Sequence, residues 1–259
     1  MKMLNTGERQ IWNKETMNDY TYFRHIFILN YLKKYMINKK VIEFGSGMGY
    51  NVNYFSDVVE YICGLEINKR AVEFSKKKYV STYKKDYFIA DLTTPIEVKY
   101  KFDVVYSIFV LEHISKEKND VFFNNIHSVL KEDGLVIILI PNGEKEGANK
   151  FPYHVQYIGY DNFNKTLKKY FDIVKIYGIE HSNKVIDTIA KYNKTPQGKL
   201  NNWLRYKNMS WLLDFIPNSI KRPFRPKFKE KLTLSDFRVG LGHKDSSMFM
   251  AVCQKWKLN

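Results

Sequence analysis

Two cysteines among 259 residues are too few for a disulfide framework. Cys63 and Cys253 both sit in apolar runs with no metal-ligand spacing, so they read as small buried hydrophobes in a reducing compartment. Long hydrophobic runs are missing as well: no stretch approaches the roughly 18 apolar residues of a membrane span. Met1 to Asp19 holds no apolar core of a signal peptide, and the expectation is a cytoplasmic chain. Acids are scarce beside bases, 27 against 42, and the net charge of +15 favours phosphorylated, nucleic-acid or anionic-membrane partners. A chain this rich in Lys, Asn, Ile and Tyr also offers a plain compositional explanation, so where the charge sits weighs more than its total.

Only 13 residues are glycine, yet three of them alternate in Val41-Ile42-Glu43-Phe44-Gly45-Ser46-Gly47-Met48-Gly49-Tyr50-Asn51. An apolar strand end runs there into a tight turn and a helix start, with side chains removed where a ligand must touch backbone. A dinucleotide fingerprint is absent, because its third glycine position is Tyr50. A second apolar run, Tyr61 to Leu65, ends in Glu66, about 20 residues beyond Gly45, where a ribose-binding acid belongs. A third, Tyr87 to Ala90, ends in Asp91. The Glu-x-Gly-x-Gly-x-Gly register resembles the first motif of the class I S-adenosylmethionine (SAM) methyltransferases, which makes SAM the expected cofactor. That resemblance implies that Asp91 bonds the adenine amino group and that Glu43, Gly45, Ser46, Gly47, Glu66, Ile67, Leu92 and Ser107 complete the cofactor site.

An apolar helix is expected from about Tyr20 to Tyr35, with Phe23, Ile26, Phe27, Asn30, Tyr31 and Tyr35 on one face. Arg24 lies beside that face, either as a solvated residue or as a fork onto the methionine carboxylate of SAM. Helices over Tyr50 to Ser56 and Asn68 to Tyr79 alternate with the strands, as in a parallel sheet with right-handed crossovers. Asp103 to Ser107 reads as a fourth strand, Ile108 to Ile114 as a crossing of the site's mouth, Leu130 to Gly134 as a helix-ending turn and Leu135 to Ile140 as a buried strand. Phe102-Asp103-Val104-Val105, Leu111-Glu112-His113 and the Lys-Glu-Asp-Gly turn resemble the ubiquinone-type O-methyltransferases and the small methyltransferases of bacterial polysaccharide clusters. Gly7-Glu8-Arg9 and Arg24 strengthen the second likeness, which spans about Thr6 to Phe171. Those relatives often carry an acid three residues before the Glu of that pair; Phe109 stands there, so no metal is expected.

His113 is the expected base, since it follows the fourth strand and titrates near neutrality. Glu112 would orient it or bind acceptor hydroxyls, and His154, on the loop after the fifth strand, is the second candidate. The plain alternatives are that His113 bonds its own loop, Glu112 caps a helix and His154 is solvated. The expected fold is α/β and Rossmann-like: a doubly wound, mostly parallel seven-stranded sheet with an N-terminal capping helix. Its segments are a core over 1–180, a basic helical insertion over 181–243 acting as an acceptor lid, and a last strand in 244–259. The insertion holds 13 basic and 4 acidic residues, nine of the whole surplus of 15. Trp203, Leu204, Trp211, Leu212, Phe215 and Ile216 suggest amphipathic helices in it, followed by a proline-stiffened basic run, Lys221 to Lys227. The expected activity is O-methylation of a sugar phosphate or nucleotide sugar for surface polysaccharide, by a chain whose partner is that anionic small molecule. N-methylation of a small phosphorylated or amino-sugar acceptor, an RNA or quinone-precursor methyltransferase and a non-catalytic SAM binder are the alternatives. Nucleic acid is disfavoured, because Ser107-Ile108-Phe109 stands where base-methylating enzymes carry an Asn/Asp-Pro-Pro-aromatic box. Peripheral membrane contact and oligomeric state stay open.

Overall fold

The computed structural model describes residues 19–145, 153–206 and 232–256. Helix α1 (Asp19–Met36) leads into β1 (Lys40–Phe44), α2 (Tyr50–Phe55), β2 (Tyr61–Glu66), α3 (Lys69–Tyr79) and β3 (Lys85–Ile89). Then follow β4 (Phe102–Ile108), α4 (Asn119–Val129), β5 (Leu130–Pro141), α5 (Tyr160–Tyr170) and β6 (Phe171–His181). The chain ends with α6 (Asn183–Lys194), α7 (Pro196–Tyr206), β7 (Phe237–Leu241) and β8 (Met248–Trp256). Sheet order is β3-β2-β1-β4-β5-β8-β6-β7. The pairings from β3 to β5 are parallel, and β8 enters antiparallel between β5 and β6. Strand order reverses between β1 and β4, so the crevice for a ligand opens outside their carboxyl ends.

Successive strand residues supply opposite layers. Val41, Ile62, Val104 and Tyr106 pack with Ile28, Leu29, Leu32 and Met36 of α1 and with Val52 and Phe55 of α2. Ile42, Phe44 and Val105 pack with Phe122, Phe123 and Ile126 of α4 and Phe163 of α5. Cys63 and Cys253 are free and buried. Asn68 caps α3 as its sequence suggests, its side chain accepting from the Ala71 amide at 3.0 Å. Among the described residues no helix is long and apolar enough to cross a membrane.

Several expectations are corrected. The sheet has eight strands, because Phe237–Leu241, inside the stretch read as helical, pairs antiparallel with β6 from Tyr177↔Leu241 to His181↔Phe237. Leu130–Gly134 is already strand, not the end of α4: Leu130 pairs with Phe102, and the ladder then shifts register to Val104↔Leu135. Helix α1 buries the face of His25, Ile28, Leu29, Leu32 and Met36, one step round from the expected one. The helix is apolar on almost every side, so period alone does not choose a face. Phe27, on the expected face, meets Phe237 with ring centroids 5.8 Å apart. Of the expected amphipathic insertion, Trp203 and Leu204 lie on α7. Trp211, Leu212, Phe215, Ile216 and the Lys221 to Lys227 run lie outside the described residues, as do Gly7-Glu8-Arg9 and Phe151-Pro152.

Candidate functional site

A cavity of about 910 Å³ opens at the carboxyl ends of β1 to β5. Its volume is at the upper end for a small-molecule site and suits a cofactor with an acceptor. The glycine turn forms its floor. Gly45, Gly47 and Gly49 all take positive φ, +80°, +51° and +75°, which L side chains rarely adopt. A Cβ on Gly45 would stand 2.3 Å from Val110, and one on Gly49 2.7 Å from Tyr87, so these two also let the turn pack down. A Cβ on Gly47 would meet nothing within 4 Å. The turn is therefore stripped of its side chain on the side where a ligand fits.

Glu66 ends β2 beneath this turn and is buried. Its Oε2 accepts from the Gly47 amide at 3.1 Å and its Oε1 from the Asn68 amide at 2.9 Å. A carboxylate oxygen can accept more than one hydrogen bond, which suits two vicinal hydroxyls. Asp91 follows β3, with Oδ1 accepting from the Thr93 amide at 2.9 Å and the Thr93 hydroxyl at 2.7 Å. Ile67 and Leu92, the residues after these two acids, line the same wall. Asn125 of α4 secures it, donating to the Leu92 and Thr94 carbonyls at 3.0 and 2.8 Å. These residues fit SAM. Arg24 also lines the cavity, with Nη1 donating to the Tyr20 hydroxyl at 3.2 Å and its buried Nε without a partner. A guanidinium with a buried nitrogen that lacks a partner is suited to a carboxylate.

Two expected cofactor residues do not reach the cavity wall. The Ser107 hydroxyl donates to the Phe44 carbonyl at 3.1 Å and ties β4 to β1. Glu43 is 1% exposed behind the turn, its Oε1 accepting from Asn51 Nδ2 at 2.7 Å. Asn51 Oδ1 then faces His25 Nε2 at 2.7 Å, so that nitrogen carries the proton. Burial pushes the Glu43 carboxyl up to about 8, with Glu66 adding to it, and pushes His25 down to about 3. This relay from α1 through α2 to β1 has no sequence signature, since its members are 8 and 26 residues apart.

The Glu43 shift has a defined sign. Between about 4.5 and 8 the folded chain holds a proton that the unfolded chain has lost, so stability from this group is full at low pH and falls as pH rises towards 8. Glu43→Gln keeps the Asn51 contact without the charge. It should leave stability unchanged at pH 5 and raise it at pH 9 by on the order of a few kcal/mol, read from urea midpoints at both values. A variant no more stable than the parent at pH 9 would mean that the fold accommodates the ionised carboxylate and that the Glu43 pKa is not raised.

Above the floor, the 3-10 turn Leu111–His113 is stitched to the loop after β5. The Val155 and Gln156 amides donate to the Glu112 carbonyl at 2.9 and 3.1 Å, and the Gln156 side chain donates to the Ile114 carbonyl. This stitching brings His113 and His154 together with ring centroids 4.9 Å apart. His113 Nδ1 lies 2.9 Å from the Tyr153 carbonyl, which only accepts, so Nδ1 carries a proton and the neutral ring has its lone pair on Nε2. Glu112, His113 and His154 each offer one ligand atom, and these atoms lie within 4.8 Å of one another, close enough for one divalent ion. The expectation of no metal considered only the position of Phe109, which takes φ +57° and sets its ring 5.9 Å from the Arg24 guanidinium. The third group comes instead from a loop 41 residues beyond His113, which motif spacing does not reveal.

On the far wall stand Ile189 and Asn193 of α6, Asn202 of α7 and Lys145. None of these four was singled out from the sequence.

A family model described as a methyltransferase domain matches residues 42–138. The chain is 24% identical over 194 residues to a SAM-dependent methyltransferase of Mycolicibacterium smegmatis, covering 72% of each. It is 25% identical over 194 residues to one of Mycobacterium tuberculosis, covering 72% of this chain and 68% of the other. Among solved structures, a SAM-dependent methyltransferase from Thermotoga maritima aligns with a TM-score of 0.57 at 13% identity, over 91% of this chain and 92% of that one. At that identity the likeness is one of fold.

Proposed function

We propose that this chain, a class I S-adenosylmethionine-dependent methyltransferase, methylates a hydroxyl of a sugar phosphate or nucleotide-linked sugar in surface-polysaccharide biosynthesis. One observation carries the choice of a hydroxyl: an imidazole whose proton is held on Nδ1 by a backbone carbonyl, set beside a second imidazole and a carboxylate on the wall of the cofactor cavity. An amine acceptor can lose its own proton to water, whereas a hydroxyl needs a base as it attacks. When bound, the cofactor supplies a methyl group already activated on a sulfonium, so the protein's task is alignment and proton removal.

Glu66 and Asp91 would hold the ribose and adenine, the glycine turn the backbone-facing side, and Arg24 the methionine carboxylate. His113 Nε2 would take the acceptor's proton, with Glu112 and His154 steadying the charge that results. A second reading follows from the three convergent ligand atoms: a divalent ion held by Glu112, His113 and His154 would lower the acceptor's pKa in place of a base.

Labelled SAM offered with sugar nucleotides, sugar phosphates, quinone precursors and transcribed RNA tests the acceptor class. Label in the sugar compounds is expected, and label in RNA alone or a quinol alone overturns it. Repeating the productive assay with a chelator separates base from metal: unchanged turnover is expected for the base, and loss restored by added divalent ion assigns the metal.

A further inference from the structure

We infer that Lys145, at the rim of the cavity, anchors an anionic group of the acceptor, and that the Asn193 and Asn202 amides bind the acceptor's hydroxyls beside it. The inference rests on the sugar-phosphate reading above and locates its charge. The sequence places the surplus of basic residues in 181–243, yet among the described residues no Lys or Arg of that stretch lines the cavity. Lys184 pairs instead with Asp236 at 3.6 Å, and Arg238 with Glu180 at 2.6 Å. What the stretch does bring to the wall is uncharged: Ile189, Asn193 and Asn202, with Asn202 Nδ2 3.5 Å from Asn193 Oδ1.

The cavity is polarised. Glu66 and Asp91 occupy the end beneath β2 and β3, and its two described cations, Arg24 and Lys145, both act on His181. Both repel a proton on that ring, which burial and these two charges hold down at about 4. His181 therefore stays neutral at pH 7 and meets the Tyr20 hydroxyl at 3.3 Å. Among the described residues no carboxylate pairs with either cation. SAM brings a single carboxylate, which accounts for Arg24 and leaves Lys145 without a counter-charge among the described residues. Like charges so placed favour an incoming anion, because its binding relieves their repulsion as well as forming new contacts.

The anchor is built into the fold. Asn142, buried at the end of β5, donates through Nδ2 to the Lys244 and Ser246 carbonyls at 2.8 and 2.7 Å and accepts from the Glu144 amide at 3.1 Å. The Lys145 amide closes the turn on the Asn142 carbonyl at 3.0 Å, and its ammonium donates to the Asp245 carbonyl. That contact steadies the side chain without neutralising it. Neighbouring Lys244 differs, since it pairs with Asp161 at 2.9 Å.

The test is calorimetric titration of the chain saturated with S-adenosylhomocysteine, so that Arg24 is occupied, using a hexose 1-phosphate, inorganic phosphate and the uncharged hexose. The hexose phosphate should bind more tightly than either of the others and weaken with added salt. Lys145→Gln should weaken it about tenfold and remove most of the salt dependence, with Lys145→Arg restoring both. Affinity for S-adenosylhomocysteine should stay the same in both variants, which shows that the cavity is intact. Equal binding of the hexose phosphate by parent and Lys145→Gln, or equal binding of hexose and hexose phosphate, overturns the inference. Loss in Arg24→Gln with retention in Lys145→Gln assigns the anion to Arg24 and overturns it too. Failure of methyl transfer to sugar phosphates with Lys145-dependent binding intact would reject the proposed function alone.

Discussion

Gly47→Val should abolish S-adenosylmethionine binding while the chain remains folded. Nothing lies within 4 Å of a Cβ built on Gly47, so the valine methyls would project into the cavity rather than into protein. At φ +51° the backbone also resists a β-branched residue, at roughly 1–2 kcal/mol, and that penalty lowers stability without unfolding a domain of this size. The Gly47 amide, which donates to Glu66 at 3.1 Å, would be pulled from its place. One substitution thus blocks the ligand's path and disturbs the carboxylate expected to hold its ribose. Valine at Gly49 is the contrasting case: the Cβ would collide with Ser75 at 2.5 Å and Tyr87 at 2.7 Å, so its damage goes to packing first. Calorimetry with circular dichroism on both variants reads the difference. Retained micromolar binding by a folded Gly47→Val chain would move the cofactor off this turn.

His113→Ala should lower kcat by roughly 10²-fold or more while leaving affinity for S-adenosylmethionine within about twofold. The ring is on the acceptor side of the cavity, and its loss removes the contacts with the Tyr153 carbonyl and the His154 ring. The turn beneath it stays attached through the Val155 and Gln156 amides on the Glu112 carbonyl, so the loop should hold its position. The pH profile of kcat provides the readout that a structural role would not move. The parent should show a general-base limb, losing activity where the base is protonated, and that limb should be missing in the variant's residual rate. Wild-type turnover in His113→Ala would assign the ring to loop structure and transfer the base to His154.

Much of the cofactor side was legible in the chain, because its groups sit at strand ends and strand ends are local features. Three apolar runs ending in the glycine turn, Glu66 and Asp91 converge once a parallel sheet aligns them, and the register pairs Phe44 with Leu65 and Glu66 with Ile89. Ser107 and Glu43 were assigned from their motif positions, but motif position does not say which face of a strand a side chain takes. Glu43 points behind the turn to Asn51, and Ser107 to the Phe44 carbonyl. The eighth strand was hidden because Phe237–Leu241 is short and is an edge strand, marked less by its own pattern than by the β6 partner it pairs with.

The sequence by itself determined the fold class, the glycine turn and the acids that follow it, since alternating strand and helix periods and a missing set of side chains act over a few residues. Only the tertiary structure decided what happens on the acceptor side. His154 reaches His113 across 41 positions, and His25 reaches Glu43 through Asn51 from a separate helix. The basic insertion turns amides rather than described cations to the cavity, while Lys145 arrives from outside it. Such meetings depend on loop closure and on which face each helix buries, and those are set by packing against partners far along the chain.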